Sequence, residues 1–150
     1  MTADAWAAAM LLAGGVFTGS AVFVAYERVP LWARMDVGAY AVDFRRSLRR
    51  VDPTQPILLV LTLVSAGGFA AATDGAARGV ALAAVGCLAL VLAGSLTLGE
   101  PINRQFRRRP EGVAPPDAPG LRRRWARLHR ARATIALVAF ALLVVAARAG

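Results

Sequence analysis

The 150-residue chain has no lysine, one histidine, one cysteine and only 7% aromatic residues, and each scarcity removes a class of chemistry. Cys87 stands alone inside an apolar run, which excludes an intramolecular disulfide, a CxxC redox pair and a multi-cysteine metal site. The ordinary use of such a residue is as a small packing side chain in a helix. One histidine, His129, rules out bis-histidine haem ligation within the chain, and Met10 and Met35 lie in segments with no reason to reach it. Zinc would need three or four His, Cys or acidic ligands, and these do not cluster. A Gly-rich phosphate loop and a Ser-His-Asp arrangement are both missing, and charge inside the apolar runs is too sparse for an ion path. No cofactor and no metal are expected.

What the chain has instead is apolar surface. At 57% hydrophobic residues and a mean hydropathy of +0.53, it carries more than a soluble domain of this size can bury. Lipid is the natural place for the surplus. The formal net charge is +9, and all 18 basic residues are arginine. Nucleic acid would want a soluble basic face, whereas these arginines flank apolar runs, so the expected counter-charge is the anionic headgroups of membrane lipids.

Four apolar stretches punctuate the sequence. The first, about 5–26, holds some twenty residues without an internal charge and matches the hydrocarbon thickness. A cleaved signal peptide would want a basic start, and Met1-Thr2-Ala3-Asp4 has only an acid, so this segment is expected to be retained. Gly15 and Gly19 give it a small-xxx-small pair, which serves packing within the chain or against a second copy. The second span, about 57–73, opens after Asp52-Pro53-Thr54-Gln55-Pro56. Asp74-Gly75 turns the chain into the third, about 77–98, which meets Pro101 where a helix would end or kink. The fourth is strongly apolar only over 133–147, so a full span must reach back to about 128 and extends to about 148, drawing His129 and Arg132 to the membrane boundary. The expected fold is all-α, a single membrane-embedded four-helix bundle.

Cytoplasmic connections carry the arginine excess of multi-pass proteins. Arg28, Arg34, Arg45, Arg46, Arg49 and Arg50 lie in the first connection, and Arg104, Arg107, Arg108, Arg109, Arg122, Arg123, Arg124, Arg127 and Arg130 in the third. The second has only Arg78. Both termini are therefore expected on the non-cytoplasmic side of the cell membrane. Within the first connection, about 36–51, Val37, Ala41, Phe44, Leu48 and Val51 recur at helical spacing beside Tyr40, a single apolar stripe. This amphipathic helix is expected to lie at the membrane interface, as a surface anchor or as a lid over a site between the helices. The Pro-rich basic stretch, about 107–122, is expected to be irregular and flexible.

A polar cluster remains. Glu100-Pro101-Ile102-Asn103 follows the third span, and Trp125, His129 and Arg132 open the fourth at i, i+4 and i+7, which places all three on one face. If these helices are neighbours, Glu100, Asn103, His129 and Arg132 form a polar pocket roofed by Trp125. Ionisable groups near membrane depth are costly, which makes them functional candidates. Structural uses stand beside this reading: Glu100 paired with an arginine, Asn103 capping carbonyls freed near Pro101, and Trp125 as an interfacial anchor.

The E-P-I-N sequence, the basic loop and the following W-x-x-x-H-x-x-R, with a Gly-rich first span ending near Val29-Pro30, resemble the anthrone oxygenase-like family of small four-helix membrane proteins. The resemblance runs over essentially the whole chain, and its matching residues are Pro101, Asn103, Trp125, His129 and Arg132. It implies oxidation of an anthrone to an anthraquinone by molecular oxygen, without an evident metal or flavin. In that reaction His129 is the candidate base. Arg132 or Asn103 would hold the enolate oxygen, and Glu100, Asn103 and Trp125 would contact a flat lipophilic substrate. A second class of function stays open: a non-catalytic membrane protein that binds lipid, a second copy of itself or another membrane subunit.

Overall fold

A computed structural model describes residues 2–50 and 53–150. Val51 of the apolar stripe and Asp52 before the second span lie outside the described residues. The regular elements are α1 (Ala3–Phe23), α2 (Val29–Arg34), α3 (Val37–Arg50), α4 (Thr54–Ala72), α5 (Gly75–Gly94), α6 (Glu100–Arg107) and α7 (Ala118–Ala149). α1 runs into α2 through a wide π-helical turn at Val24–Arg28, and α5 runs into α6 through another at Ser95–Gly99. The four long rods are thus Ala3–Arg34, Thr54–Ala72, Gly75–Arg107 and Ala118–Ala149.

These rods make an all-helical bundle in which α1 packs against α4 and α7, and α5 packs against α4 and α7. Each helix therefore has its sequence neighbours at its sides, as short antiparallel connections favour. The tightest is the α4–α5 hairpin, where Gly75 takes a φ of +59°, a left-handed geometry that side chains with a Cβ disfavour. The core is made largely of alanine: Ala66, Ala70, Ala77, Ala81, Ala84, Ala136, Ala139 and Ala146 are buried beside Met10, Phe17, Phe69, Leu88 and Leu143. Small residues let helix backbones approach closely where lipid removes the hydrophobic drive between helices. At one crossing the fit is closed outright, since a Cβ on Gly68 would lie 2.5 Å from the Trp6 ring.

The outward faces are apolar too. Leu12, Val16, Phe23, Val60, Leu61, Val64, Leu82, Leu90, Leu137 and Val145 are all exposed, and the most apolar window of each rod is only 22–39% buried. Apolar surface on that scale requires lipid, so the chain is a multi-pass membrane protein with four spans.

Three rods of 32 or 33 residues are about 48 Å long and outreach a hydrocarbon core of about 30 Å. Their excess lies at the arginine-rich end. There α2, α3, α6 and the first turns of α7 enclose a second core of Trp32, Tyr40, Ala41, Phe44, Leu48, Ile102, Phe106, Ala118 and Leu121. Ala41, Phe44 and Leu48 of the α3 stripe, with Tyr40, thus point into the protein and cover the end of the bundle, because the extended rods offer them an aromatic surface, while Val37 is exposed. Two further boundaries differ from expectation. Pro101 does not end the third helix: the wide turn before it accommodates the missing N–H and the ring clash, and Pro30 is treated the same way. α7 begins at Ala118, ahead of Trp125 and of the span expected from about 128, because Asp117 caps it through Gly120 N (3.2 Å) with Pro119 in its first turn. The connection expected to be flexible through 122 is consequently helical from Ala118, with Pro115 buried ahead of it.

Candidate functional site

A cavity of about 320 Å³ lies where the apolar core gives way to the aromatic cap, and Glu100, Asn103, Trp125, His129 and Arg132 all line it. The wide turn and α6 bring the first two, and α7 brings the other three. Gln55 and Leu59 of α4, Phe17 of α1 and Phe44 and Leu48 of α3 complete the walls.

His129 is buried, and its Nε2 lies 3.0 Å from the carbonyl oxygen of Ala21. A carbonyl only accepts, so Nε2 carries the hydrogen, and in the neutral ring the lone pair sits on Nδ1. Ala21 stands three residues ahead of the first wide turn. The imidazole stacks face to face on Trp125, with centroids 4.7 Å apart and planes 9° from parallel. Trp125 Nε1 donates to Asn103 Oδ1 at 3.0 Å. Because an indole N–H only donates, the Asn103 amide is turned with its oxygen to Trp125, which leaves the NH2 group as its donor for anything else. Trp125 thereby fixes His129 with its face and Asn103 with its edge. Trp32 and Phe44 hold the indole in turn by edge-on contacts at 5.4 and 5.0 Å.

Arg132 reaches the other way. Its Nη2 donates to Gln55 Oε1, Gln55 Nε2 donates to Ser20 Oγ at 3.0 Å, and Ser20 Oγ donates to the Phe17 carbonyl at 2.8 Å. The chain of bonds ties α7, α4 and α1 together at the level where α4 begins. Glu100 lines the same cavity, but its carboxylate is held by Arg104 and Arg107 of its own helix, as the arginine-pairing reading anticipated. Asn103 is engaged with Trp125 and caps no carbonyl freed near Pro101.

The cap above the cavity carries its own polar links. Arg28 and Trp32 both donate to Asp43, the indole at 2.6 Å. Arg122 donates to the carbonyls of Trp32 and Met35 at 2.9 and 2.8 Å, closing the end of α2, and lies over the Tyr40 ring. The Tyr40 hydroxyl is buried without a hydrogen-bond partner among the described residues. Burial pushes this phenol above its ordinary value, against a smaller opposing pull from Arg122.

Over residues 44–142 the chain matches the family described as anthrone oxygenase. The chain belongs to that family. No curated protein and no solved structure matches it. The family match includes every residue named for the cavity from α3, α4, α6 and α7, whereas the Gly-rich first helix and Val29-Pro30, which carried part of the resemblance, precede it. Among the described residues, no three His, Cys, Asp or Glu side chains are grouped as a metal site would need.

Sequence reasoning overlooked Gln55, Ser20, Trp32 and Asp43. Gln55 had a usable signal, an amide at the mouth of an apolar span, but the flanking Pro53 and Pro56 drew it into a helix-start reading. Ser20, Trp32 and Asp43 had none, since their roles depend on partners 11 to 35 positions away.

Proposed function

We propose that this protein is a membrane-embedded oxygenase that converts a flat, lipophilic, enolisable aromatic ketone of the anthrone type to a quinone. The observation that carries the reading is the joint fixation of His129 and Asn103 by Trp125 on one wall of the cavity. A base and a hydrogen-bond donor held by one rigid ring are what proton abstraction beside a carbonyl requires.

His129 Nδ1 takes a proton from the ring methylene, and the electron pair delocalises onto the carbonyl oxygen. The Asn103 NH2 donates to that oxygen, with the Arg132 charge close by in a setting of low dielectric. The electron-rich carbanion reduces molecular oxygen directly and forms a carbon-bound peroxide. Loss of the second methylene hydrogen with cleavage of the O–O bond leaves a carbonyl. One oxygen atom of O2 enters the product and the other departs as water with both hydrogens, so no further reductant is consumed.

The cavity volume falls at the low end of the range for small-molecule sites. Leu90 of α5 and Leu96 and Leu98 of the wide turn line it and are exposed on the apolar exterior, so a substrate dissolved in the bilayer reaches it sideways. The arginine-rich cap faces the cytoplasm in this reading, with both termini opposite; labelling of single cysteines placed at Thr2 and Arg109 in sealed vesicles tests that orientation. The activity is tested by anthrone-dependent oxygen uptake in proteoliposomes. Uptake should fall steeply in His129→Ala, and unchanged uptake would refute the assignment of the base.

A further inference from the structure

A second cavity, about 650 Å³, lies outside the bundle between α1 and α3. Gly15 and Gly19 lie along its membrane-facing length beside Val16 and Phe23, and Arg28, Asp43, Arg46, Ser47 and Arg50 close it at the cap end. A Cβ built on Gly19 meets nothing within 4 Å, so that position is open, whereas one on Gly15 meets the Phe140 ring of α7 at 3.4 Å. Arg28 and Asp43 are paired with each other. Arg46 and Arg50, one turn apart on α3, are exposed and have no hydrogen-bond or ion-pair partner among the described residues. Among the described residues, Glu27 also pairs with Arg28, at 3.9 Å, so the two carboxylates gather on Arg28 and leave Arg46 and Arg50 as the free cations of the groove.

We propose that the groove binds one anionic glycerophospholipid of the leaflet bordering the cap, with the phosphate between Arg46 and Arg50 and an acyl chain along α1 over Gly19 and Gly15. An apolar slot at span depth, ending in unpaired guanidinium groups where the spans end, matches an amphiphile with one anionic head. A soluble anion would occupy the arginines and leave the slot unfilled. A second copy related by a two-fold axis along the membrane normal would set Arg46 and Arg50 against the same pair, a like-charge contact. The site is independent of the oxygenase reading, although Val24 and Ser47 line both cavities and so form part of the wall between them.

The test is native mass spectrometry of the full-length protein in detergent with equimolar phosphatidylglycerol and phosphatidylcholine, with helical content checked by circular dichroism. The expected result is one phosphatidylglycerol retained in preference to phosphatidylcholine. Arg46→Gln with Arg50→Gln should weaken that retention about thirtyfold, the effect of two near-surface arginines, while Arg46→Lys with Arg50→Lys keeps most of it. Gly19→Leu should also weaken it with both arginines in place. The control, Arg34→Gln with Arg49→Gln, alters exposed arginines outside the groove and should leave retention unchanged. Equal losses in both glutamine pairs would overturn the proposal in favour of diffuse attraction. Competition by inorganic phosphate as effective as by phosphatidylglycerol, or a change of oligomeric state in Gly19→Leu with lipid retention intact, would overturn it as well.

Discussion

The two ends of this bundle are built on opposite principles. Towards the Asp74 turn, buried alanines let the helices close on one another, and a Cβ at Gly68 already has no room. Towards the cap, large rings meet edge to face or in stacks, and hydrogen bonds run between side chains of different helices. Small residues fill space by bringing backbones together and leave nothing for a guest. Rings hold backbones apart, and the space between them becomes a cavity wherever a ring is missing from the wall. The difference separates the part of the molecule that sets stability in the bilayer from the part offered to a ligand.

That separation can be broken from either end. The largest effect is expected from His129→Ala, which should lower anthrone-dependent oxygen uptake by about 10²-fold or more, the usual contribution of a positioned base. Trp125→Phe keeps an aromatic face for His129 but removes the donor to Asn103. It should reduce kcat roughly tenfold with a smaller change in KM; a ring serving only as packing would leave both unchanged. Gly68→Ala acts at the other end, where the new methyl meets Trp6, and should cost about 1–3 kcal/mol of stability. Uptake per folded molecule should stay as in wild type; a drop would mean the two ends are coupled.

The smallest effect should come from Tyr40→Phe. It removes a buried hydroxyl that lacks a partner among the described residues, so thermal stability in detergent should rise by on the order of 1 kcal/mol. Its pH dependence has a definite sign. The folded phenol ionises above the pH at which the unfolded one does, so unfolding releases a proton in alkaline solution and stability falls as pH rises above about 10. Tyr40→Phe should lose that component of the alkaline decline. An unchanged alkaline profile would show that another group is responsible.

The four spans were legible because hydrophobic length depends on no partner: twenty apolar residues need lipid whatever surrounds them. The face shared by Trp125, His129 and Arg132 was legible from helical spacing, and its placement beside Asn103 from the adjacency of consecutive antiparallel helices. Glu100 was open to two readings, and its carboxylate pairs with Arg104 and Arg107 while the residue also lines the cavity. Gln55 between Arg132 and Ser20, and Asp43 between Arg28 and Trp32, were not legible, because each depends on a third helix or a separate segment arriving at the right height. The continuation of two helices through Pro30 and Pro101 was hidden for a different reason: proline states that a hydrogen bond is lost, not how neighbouring residues absorb the loss.

The wide turn at Ser95–Gly99 acts as a phase shifter. An α-helix advances about 100° per residue, so a single extra residue within a turn resets the clock for everything beyond it. Counted as unbroken α-helix from buried Val91, Asn103 would fall about a third of a revolution off the inward face; with one residue taken up by the wide turn it returns to within about 20° of it. The apolar pattern of the span and the cavity-facing pattern of α6 can therefore drift independently through mutation, each in its own register, joined by a coupling that tolerates the mismatch. Removing one residue from 95–99 would restore a continuous α-helix and keep Asn103 in line with Trp125, whereas closing the turn into α-helix with all five residues kept would swing Asn103 about a third of a revolution away.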